Sequence, residues 1–579
     1  MTRLVSRTMA VVAFFALAGC ALRPSAGVSS VQPLVDVQLI GFNDFHGSLE
    51  PPSGSNGRVG SVDAGGVENL AAHVARLRSD NPNTIVVSAG DSIGASPLLS
   101  GMFHDEPTIE ALGAAGLQIS TVGNHELDEG WWELYRMQKG SCHPVDGCQD
   151  QTPFTGASFE FLSANIILDP QRVDPAALGT SGWRSAAPGP QPLFPAYAIK
   201  DIGGVKVGFI GLVLRGASEI VAPPAWKGLT FRPEAEAANE AASALVRQGV
   251  RAIVVLIHQG GTQASTGTYD GCEGLSGPIV PIVSQMSDDI DVVVSGHSHQ
   301  AYNCTLGAKL VTSALSFGRI LTDIDLRVDR VTGEVVEKRA RNVIVTRDAP
   351  KASAVTALID HYRPYYAALG SRVVGTIAAE ITRLPNKAGE SALGDVVADA
   401  FLEATSDAAG GGAVAAFINS GGVRADLTGV GRAAPNGPRE VTYAQVFEVQ
   451  PFGNRAIVKT LTGDAILRAL EQQFDNPGEG RQTILQVSNG VSYSYDLGRS
   501  KGQRIDPASF MIAGHPLDSA ARYRVVFTDF VWNGGDGFSR LQEGTDPLAG
   551  DLDVDVLSAY LRKHSPVVPG PQNRIRRQP

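Results

Sequence analysis

The sequence lacks an excess of basic residues. Its 579 residues include 48 Lys and Arg against 59 Asp and Glu, which gives a formal net charge of −11. A protein that binds a nucleic-acid polymer needs a basic surface to neutralise the phosphates, so the composition argues against that class of partner. A small anionic ligand is compatible with the charge, provided that local cations hold it against the overall field.

The N-terminus lacks the length of apolar sequence that a transmembrane helix needs. A short apolar run at 9–18 follows Arg3 and Arg7, and Leu-Ala-Gly-Cys at 17–20 resembles a bacterial lipoprotein signal. We therefore expect a signal peptide over 1–19, a lipid on Cys20 and a tether over 20–33. The alternative is an ordinary secretory signal cut elsewhere. Either signal exports the protein, and the first anchors it to a membrane at the cell surface or in the periplasm.

Cysteine is scarce, and no C-x-x-C pair is present among the five cysteines. Removing Cys20 leaves an even number for an oxidising compartment, where disulfides are expected. Cys142 and Cys148 are close enough in sequence to pair locally, which would leave Cys272 to pair with Cys304. Three pairings are formally possible, and zinc binding is the alternative that the irregular spacing disfavours.

Tandem repeats are also absent, and 579 residues exceed what one hydrophobic core holds. Strand and helix patterns alternate after residue 34, which is typical of βαβ units. We expect a first domain over 34–347, a linker over 348–370 that contains a helix, a second domain over 371–564 and a solvated tail over 565–579.

Five apolar runs each end at a side chain that can bind a metal ion. These side chains are Asp44 and His46 after 34–41, Asp91 after 84–87, Asn124 and His125 after 117–122, His258 after 252–257, and His297 and His299 after 290–295. A Gly-Asn turn before a helix would explain residues 121–128 alone, but not the other four segments. The remaining histidines, His73, His104, His143, His361, His515 and His564, are assigned to surface or loop positions.

Carboxylate, amide and imidazole ligands suit Zn, Mn or similar divalent ions. Two such ions roughly 3.5–4 Å apart can acidify a water molecule and clamp a phosphoryl group. The order of the segments therefore predicts a phosphoesterase with two divalent metal ions.

The five segments resemble those of the 5′-nucleotidase family, and the resemblance covers nearly all of residues 35–565. It rests on Gly-Asn-His-Glu at 123–126, Gly-His-Ser-His at 296–299, Asn-Ser-Gly-Gly-Val-Arg at 419–424 and the strings at 451–454 and 528–538. The resemblance implies an α/β fold: an N-terminal four-layer α/β/β/α metallophosphoesterase sandwich, followed by a second α/β domain that binds the nucleotide.

The same resemblance assigns roles to individual residues. Asp44, His46, Asp91 and His299 would hold one metal, with Asp91 bridging, and Asn124, His258 and His297 would complete the second. His125 would donate a hydrogen bond or proton to the phosphoryl group, and Asp128 would orient its ring.

In the second domain, Asn419 and Arg424 would contact phosphate, and Gly421 and Gly422 would allow close backbone approach. Phe452 and Phe530 would sandwich the base, unless both are core residues, and Asp536 would accept a ribose hydroxyl. Either Arg383 or Lys387 would supply a further phosphate contact.

The activity implied is an exported, metal-dependent 5′-nucleotidase that hydrolyses nucleoside 5′-monophosphates. Two rivals within the family act on 2′,3′-cyclic nucleotides or nucleoside diphosphate sugars. A rival of another class is a lipoprotein that binds nucleotides without turnover, which would have no use for seven metal ligands. The sequence indicates no protein partner.

Overall fold

The computed structural model describes residues 34–173, 183, 189–264, 268–432, 437–476 and 482–579. The expected signal peptide, the lipidated Cys20 and the tether lie outside the described residues. Within them, we find no helix with the length and apolar character needed to cross a membrane.

The first domain is built on two stacked six-stranded sheets. Their order is β17-β16-β1-β4-β5-β6 in one sheet and β14-β15-β13-β12-β10-β9 in the other. The strands are β1 Leu34–Phe42, β2 Arg58–Val59, β3 Val62–Asp63, β4 Thr84–Ser88, β5 Leu117–Thr121, β6 Glu160–Leu162, β7 Ile166–Leu168, β8 Gln191–Pro192, β9 Tyr197–Ile202, β10 Val205–Val213, β11 Leu229–Phe231, β12 Ala252–His258, β13 Val292–Ser295, β14 Ala301–Leu306, β15 Lys309–Ala314, β16 Ile320–Asp329 and β17 Val335–Ile344.

The central strands of each sheet run parallel. In the first sheet β1, β4, β5 and β6 are parallel neighbours, and in the second β10, β12, β13 and β15 are. Such strands are covered on both faces, so they are apolar along their whole length, as in β12, where every residue is buried. Their carboxyl ends meet at one edge of the sandwich.

Helices cover the outer faces of both sheets. The helices of this domain and of the linker are α1 Val67–Asp80, α2 Leu98–Gly101, α3 Glu106–Ala114, α4 Trp131–Lys139, α5 Ala217–Ile220, α6 Glu234–Arg247, α7 Ile279–Ser284 and α8 Ser353–Gly370. One buried apolar cluster fills the space between the sheets, a second lies under α1, α3 and α4, and a third lies under α6 and α7. These layers confirm the predicted α/β/β/α sandwich.

Helix α8 lies in the linker and is held against the first domain by polar contacts. The Tyr362 hydroxyl donates to Oε2 of Glu110 at 3.0 Å, and Nε2 of His361 lies 2.9 Å from Oδ2 of Asp150. Its apolar side packs into the cluster that lies under α1 and α3. The linker is therefore a fixed part of the structure.

The second domain has a five-stranded sheet in the order β23-β19-β27-β22-β28 and a three-stranded sheet, β18-β21-β20. Apolar clusters cover both faces of the larger sheet. The strands are β18 Val373–Ile377, β19 Ala415–Ile418, β20 Val430–Arg432, β21 Arg439–Thr442, β22 Arg455–Thr462, β23 Gln486–Val487, β24 Tyr493–Tyr495, β25 Met511–Ile512, β26 His515–Pro516, β27 Arg522–Thr528, β28 Thr545–Leu552 and β29 Ile575–Arg577; the helices are α9 Ala392–Thr405, α10 Tyr443–Val449, α11 Gly463–Gln472, α12 Asp529–Trp532 and α13 Asp553–His564.

The C-terminal residues correct the expectation of a solvated tail. Strand β29 pairs in parallel with β24, Ile575 is buried, and the Arg574 guanidinium binds both carboxylate oxygens of Asp399 at 2.8 and 2.7 Å. High proline and arginine content suggested solvent exposure, but the arginine has a carboxylate partner brought close by the fold.

His73 corrects a second expectation. It lies on α1 with 6% of its surface exposed, and its Nε2 lies 3.3 Å from the Thr346 carbonyl oxygen. The helical pattern placed this position next to the buried stripe of α1, so a surface assignment was wrong.

The two disulfides agree with the predicted pairing. Cys142 is bonded to Cys148, and Cys272 is bonded to Cys304. The second bond ties the 268–276 loop to β14, directly after the segment that carries His297 and His299.

Candidate active site

The carboxyl ends of the parallel strands bring all seven predicted metal ligands together. Five of them adopt a left-handed backbone, with φ between 48° and 69°, namely Asp44, His46, Asp91, His297 and His299. Residues other than glycine rarely adopt this conformation, and it persists where the surrounding structure enforces it. The loops after the strands are therefore shaped to aim these side chains.

Asp44, His46 and His299 form the first group, with one ligand atom from each within 4.8 Å of the others. Nε2 of His299 lies 3.1 Å from Nε2 of His46 and 3.3 Å from Oδ1 of Asp44. Nδ1 of His46 donates to the Gly94 carbonyl oxygen at 2.9 Å. In the neutral ring Nε2 of His46 therefore carries a lone pair that can bind a cation.

Asp91, His258 and His297 form the second group. Nδ1 of His258 donates to the Ala89 carbonyl oxygen at 2.8 Å, so Nε2 carries the lone pair of the neutral ring. Nε2 lies 2.9 Å from Oδ2 of Asp91, but it is buried and has no hydrogen bond of acceptable geometry. Two acceptors at this distance repel each other unless a proton or a metal cation lies between them, so the donor set fits a bound cation.

Asp91 lies between the two groups. Its Oδ2 is 2.9 Å from Nε2 of His258 and 3.8 Å from Nε2 of His46. Burial raises the pKa of Asp91, but His258 and His125 outweigh it, and the net pKa lies well below its usual range. Burial lowers the pKa of His258, while Asp91 raises it, to about 10. The carboxylate is therefore charged and close to both groups.

Asn124 completes the second group. Its Oδ1 lies 3.0 Å from Nδ1 of His297. The backbone N–H of His297 donates to both carboxylate oxygens of Asp44 at 3.0 Å. The loop after β13 thus fixes the first aspartate while it presents its own imidazole to the second group.

His125 and Asp128 form a hydrogen-bonded pair beside the two groups. Nδ1 of His125 lies 2.7 Å from Oδ2 of Asp128, and the His125 backbone N–H donates to Oδ1 of Asp91 at 2.9 Å. Burial lowers the pKa of His125, but Asp128 and Asp91 raise it, and the net shift is upward. The pair is built to keep a proton on this imidazole.

Glu126 is a site residue that the sequence reasoning missed. Its carboxylate accepts three backbone N–H groups, from Asp91 at 2.9 Å, Ser92 at 2.7 Å and Gly123 at 2.6 Å. A Cβ at Gly123 would lie 2.2 Å from Oδ1 of Asp91, so only glycine allows this approach. Glu126 thus holds the loops after β4 and β5 together. The sequence feature that could have identified it is its position in the Gly-Asn-His-Glu motif.

The two domains together line a cavity of about 370 Å³, which Asn124 and His297 of the second group reach. All seven predicted substrate residues line it, together with His125 and Asp128. The lining residues are Asn124, His125, Asp128, Ile220, Ala222, His297, Asn419, Gly421, Gly422, Arg424, Phe452, Asn454, Asp529, Phe530, Asn533 and Asp536.

Arg424 reaches from the second domain toward the metal-ligand side of this cavity. Burial lowers the pKa of its guanidinium, and the nearby Arg383 lowers it further, against the opposing effect of Asp91, Asp128 and Asp44. The guanidinium lies 5.8 Å from the centroid of the Phe452 ring. That ring is stacked on His125 at 5.8 Å with an interplanar angle of 18°.

Phe530 lies in α12, and Asp536 lies in the turn that follows this helix. A Cβ at Gly535 would lie 2.5 Å from the Phe530 ring, so glycine at this position lets the ring sit against the backbone. Oδ2 of Asp536 accepts a hydrogen bond from Nδ2 of Asn419 at 2.9 Å. This hydrogen bond joins the 419–424 segment to the turn that follows α12.

The cavity also contains residues that carried no assignment. Asn454 and Asn533 stand inside the strings that the resemblance used, so their position could have been recognised. Nothing in the sequence pointed to Ile220 or Ala222, because apolar residues after β10 are equally typical of a packed core.

Two α/β domains that enclose a carboxylate and imidazole cluster define a two-domain metallohydrolase, and comparison with known proteins agrees. Residues 38–301 match the family model described as calcineurin-like phosphoesterase, and residues 373–543 match that of the 5′-nucleotidase C-terminal domain. The chain belongs to the 5′-nucleotidase family and is a metal-dependent phosphoester hydrolase.

Individual proteins show the same relationship. The chain is 31% identical to cell wall protein Lmo0130 of Listeria monocytogenes, over 91% of this chain and 67% of that protein. It is 28% identical to the endonuclease YhcR of Bacillus subtilis, and there it spans 94% of its own length but only 41% of the relative. The crystal structure of a 5′-nucleotidase precursor from Thermus thermophilus superposes with a TM-score of 0.74 at 26% identity, covering 94% of this chain and 99% of that one.

Proposed function

We propose that this protein is an exported 5′-nucleotidase that uses two divalent metal ions to release phosphate from nucleoside 5′-monophosphates. The observation that carries the proposal is one cavity whose lining combines Asn124, His125 and His297 of the first domain with Arg424, two aromatic rings and Asp536 of the second. This lining offers groups for a phosphate, for a base and for the ribose between them.

The first end would hold the metals. Asp44, His46, Asp91 and His299 are the proposed ligands of one ion, with Asp91 shared, and Asn124, His258 and His297 those of the second. The two ions, when bound, supply an activated water and neutralise charge on the phosphoryl oxygens. The close approach of side chains that can all bind a cation supports this assignment, at 3.1 Å between Nε2 of His46 and Nε2 of His299 and 2.9 Å between Nε2 of His258 and Oδ2 of Asp91.

His125 is the proposed donor to the phosphoryl group. Asp128 holds Nδ1 of the ring at 2.7 Å, which leaves Nε2 to donate toward the cavity. A positioned donor of this kind contributes to catalysis when its proton is present at the working pH, and Asp128 supports the protonated form.

Arg424 is the proposed grip on the phosphate, because a planar guanidinium offers paired donors to phosphate oxygens. Of the two candidates for the further cation, we propose Arg383 over Lys387. Arg383 is close enough to Arg424 to lower its pKa, and its guanidinium lies 3.5 Å from Oδ1 of Asn56, in the first domain. Asn419, Gly421 and Gly422 would complete the phosphate end.

Phe452 and Phe530 are the proposed stacking partners of the base, and Asp536 the proposed acceptor of a ribose hydroxyl. The cavity volume of about 370 Å³ is near the lower end of the range for small-molecule sites. This size favours a mononucleotide over a nucleoside diphosphate sugar.

Export is proposed on two grounds. The N-terminal sequence has the form of a lipoprotein signal that ends at Cys20, and the disulfides Cys142–Cys148 and Cys272–Cys304 are typical of an oxidising compartment. The relative from Listeria monocytogenes is described as a cell wall protein, which is consistent with an extracytoplasmic location.

The test is hydrolysis by the soluble chain that begins after Cys20, with released phosphate measured for the monoesters and the organic products separated by chromatography for the other substrates. The panel would contain AMP and its counterparts with other bases, 2′,3′-cyclic AMP, UDP-glucose, p-nitrophenyl phosphate and single-stranded DNA, each with and without chelator. We expect the highest kcat/KM with nucleoside 5′-monophosphates and no turnover after chelation. A higher kcat/KM with cyclic AMP, UDP-glucose or DNA would replace the proposed substrate, and nucleotide binding without turnover would remove the enzyme.

A further inference from the structure

A second cluster of potential metal ligands lies outside the active site. His104, Glu129, Glu133 and His143 each place one ligand atom within 4.8 Å of the other three. The residues come from separate parts of the first domain: the loop before α3, the turn before α4, α4 itself and the loop closed by Cys142–Cys148. The sequence pattern gave no reason to group them.

Asp146 contacts both imidazoles. Its Oδ2 lies 2.9 Å from Nε2 of His104, and its backbone N–H donates to Nδ1 of His143 at 3.1 Å. The two rings are stacked, with centroids 3.7 Å apart and an interplanar angle of 14°. A carboxylate on one ring nitrogen fixes the ring and makes the opposite nitrogen a better ligand.

The charge around the rings favours a cation. Nδ1 of His104 lies 2.7 Å from Oε2 of Glu129, and Glu133 contributes a further carboxylate. Arg136 binds Glu133, but a carboxylate has about four lone-pair sites and can accept from a guanidinium and a metal together. Burial lowers the pKa of His104, while Glu129 and Asp146 raise it, to about 9. This cluster therefore already attracts one positive charge.

The backbone of His104 gives an independent indication. Its φ is 50°, in the left-handed region, and the other histidines with positive φ in the described chain are His46, His297 and His299 of the active site. The disulfide Cys142–Cys148 closes a loop whose ends are six residues apart in sequence and from which His143 projects. The left-handed backbone of His104 and the disulfide beside His143 thus restrict the positions of the two imidazoles.

We propose that His104, Glu129, Glu133 and His143 bind one Zn²⁺ at a structural site, with the Asp146 carboxylate orienting the His104 ring. Two imidazoles and two carboxylates form a four-ligand set of the kind that closes structural zinc sites. The ion would tie the disulfide-closed loop and the loop before α3 to the turn that follows Asp128. The proposal does not depend on the nucleotide substrate.

The test is zinc content after equilibrium dialysis of the soluble chain against buffered Zn²⁺, measured by mass spectrometry of the metal. We expect His104→Ala and His143→Ala each to lose one zinc per chain relative to the wild type. The matched control is His361→Ala, since His361 also contacts a carboxylate, at 2.9 Å from Asp150, but has no second histidine in its group. It should keep the full zinc content.

Loss of the ion should also be visible without catalysis. Asp91→Asn alters the active site alone. The Asp91→Asn single variant should therefore still bind one zinc per chain more than the double variant Asp91→Asn/His143→Ala. Asp146→Asn should weaken zinc binding at this site by about 10–100-fold, the usual effect of removing an orienting carboxylate. Circular dichroism of each variant identifies any that has not folded.

Equal zinc content in folded wild type, His104→Ala and His143→Ala would overturn the proposal. So would an equal loss in His361→Ala, because the zinc would then be bound to scattered surface histidines.

Discussion

At the scale of single residues, Asp91 is the point at which the two ligand groups meet. Its Oδ2 lies 2.9 Å from His258 and 3.8 Å from His46, and its Oδ1 accepts the His125 backbone N–H. His125, by contrast, contacts Asp128 through its side chain. The two residues should therefore separate metal binding from catalysis.

Asp91→Asn should abolish phosphate release and lower metal content together, because in the proposed site this one carboxylate would bind both ions. His125→Asn should keep its metal and lose roughly 10²- to 10⁴-fold in kcat, the usual contribution of a positioned proton donor. Metal analysis and AMP turnover on the same samples measure both effects. An Asp91→Asn variant with full metal content and full activity would contradict the shared-ligand arrangement.

Phe530→Ala should affect nucleotides selectively. Stacking on an aromatic ring contributes on the order of 1–3 kcal/mol per base, so kcat/KM for AMP should fall by roughly 5- to 150-fold. Hydrolysis of p-nitrophenyl phosphate should be nearly unchanged, since that ester reaches the metals without a base.

The matched control is Phe538→Ala, which removes a fully buried ring from the same segment of the second domain. It should lower thermal stability and reduce both activities. Equal losses on both substrates in Phe530→Ala, with stability lowered as in the control, would mean that Phe530 is a packing residue.

At the scale of elements, β29 shows how a short C-terminal strand stabilises the second domain. It pairs with β24 in a two-stranded sheet. Arg574, just before the strand, also donates to the Val487 carbonyl oxygen at 2.7 Å. The strand therefore joins the end of the chain to α9 and β23.

Arg574→Ala should lower the free energy of unfolding by about 2 kcal/mol, the scale for hydrogen bonds to a charged group, since Asp399 would lose both of its guanidinium contacts. Arg576→Ala, on the exposed side of the same strand, should change it by no more than about 0.5 kcal/mol. Thermal or urea unfolding measures the difference. Identical stability in the two variants would return this segment to the role of a solvated tail.

At the scale of the whole molecule, the cavity exists because the two domains meet beside the strand ends. Ser55 donates to Asp426 at 2.7 Å, Asn56 donates to the Arg424 carbonyl oxygen at 3.2 Å, and Ser53 donates to Glu448 at 3.3 Å. Burial raises the pKa of Glu448 to about 7 from its usual 4.5 against the opposing effect of the Ser53 hydrogen bond, and Glu50 raises it further.

The contribution of Glu448 to the free energy of unfolding should therefore fall as pH rises. A carboxyl with a raised folded-state pKa binds its proton more tightly when folded, so its contribution is complete below pH 4.5 and is lost as pH rises to about 7. Glu448→Gln should remove up to about 1.4 kcal/mol of this decline per pH unit. Thermal midpoints of both proteins at either end of the window measure it, and parallel curves would show that Glu448 does not titrate there.

The sequence pattern determined the α/β class and the strand ends that carry Asp44, Asp91 and His258, whereas the four layers of the first domain were implied by the family resemblance. The strand ends are local features: a parallel strand buried on both faces is a continuous apolar run, and its polar continuation must lie at the carboxyl edge. The disulfide pairing followed from the number and spacing of the cysteines together with the expected export signal.

Tertiary structure alone decided which distant side chains meet. Arg383 rather than Lys387 lies beside Arg424, Glu126 clamps two loops, and His104 stacks on His143. Periodicity records whether a residue is buried, but it contains no information on which loop a buried polar group will face. That depends on how the sheets stack and how the domains meet, because such a group is stabilised by whichever partner the packed chain places within hydrogen-bonding distance.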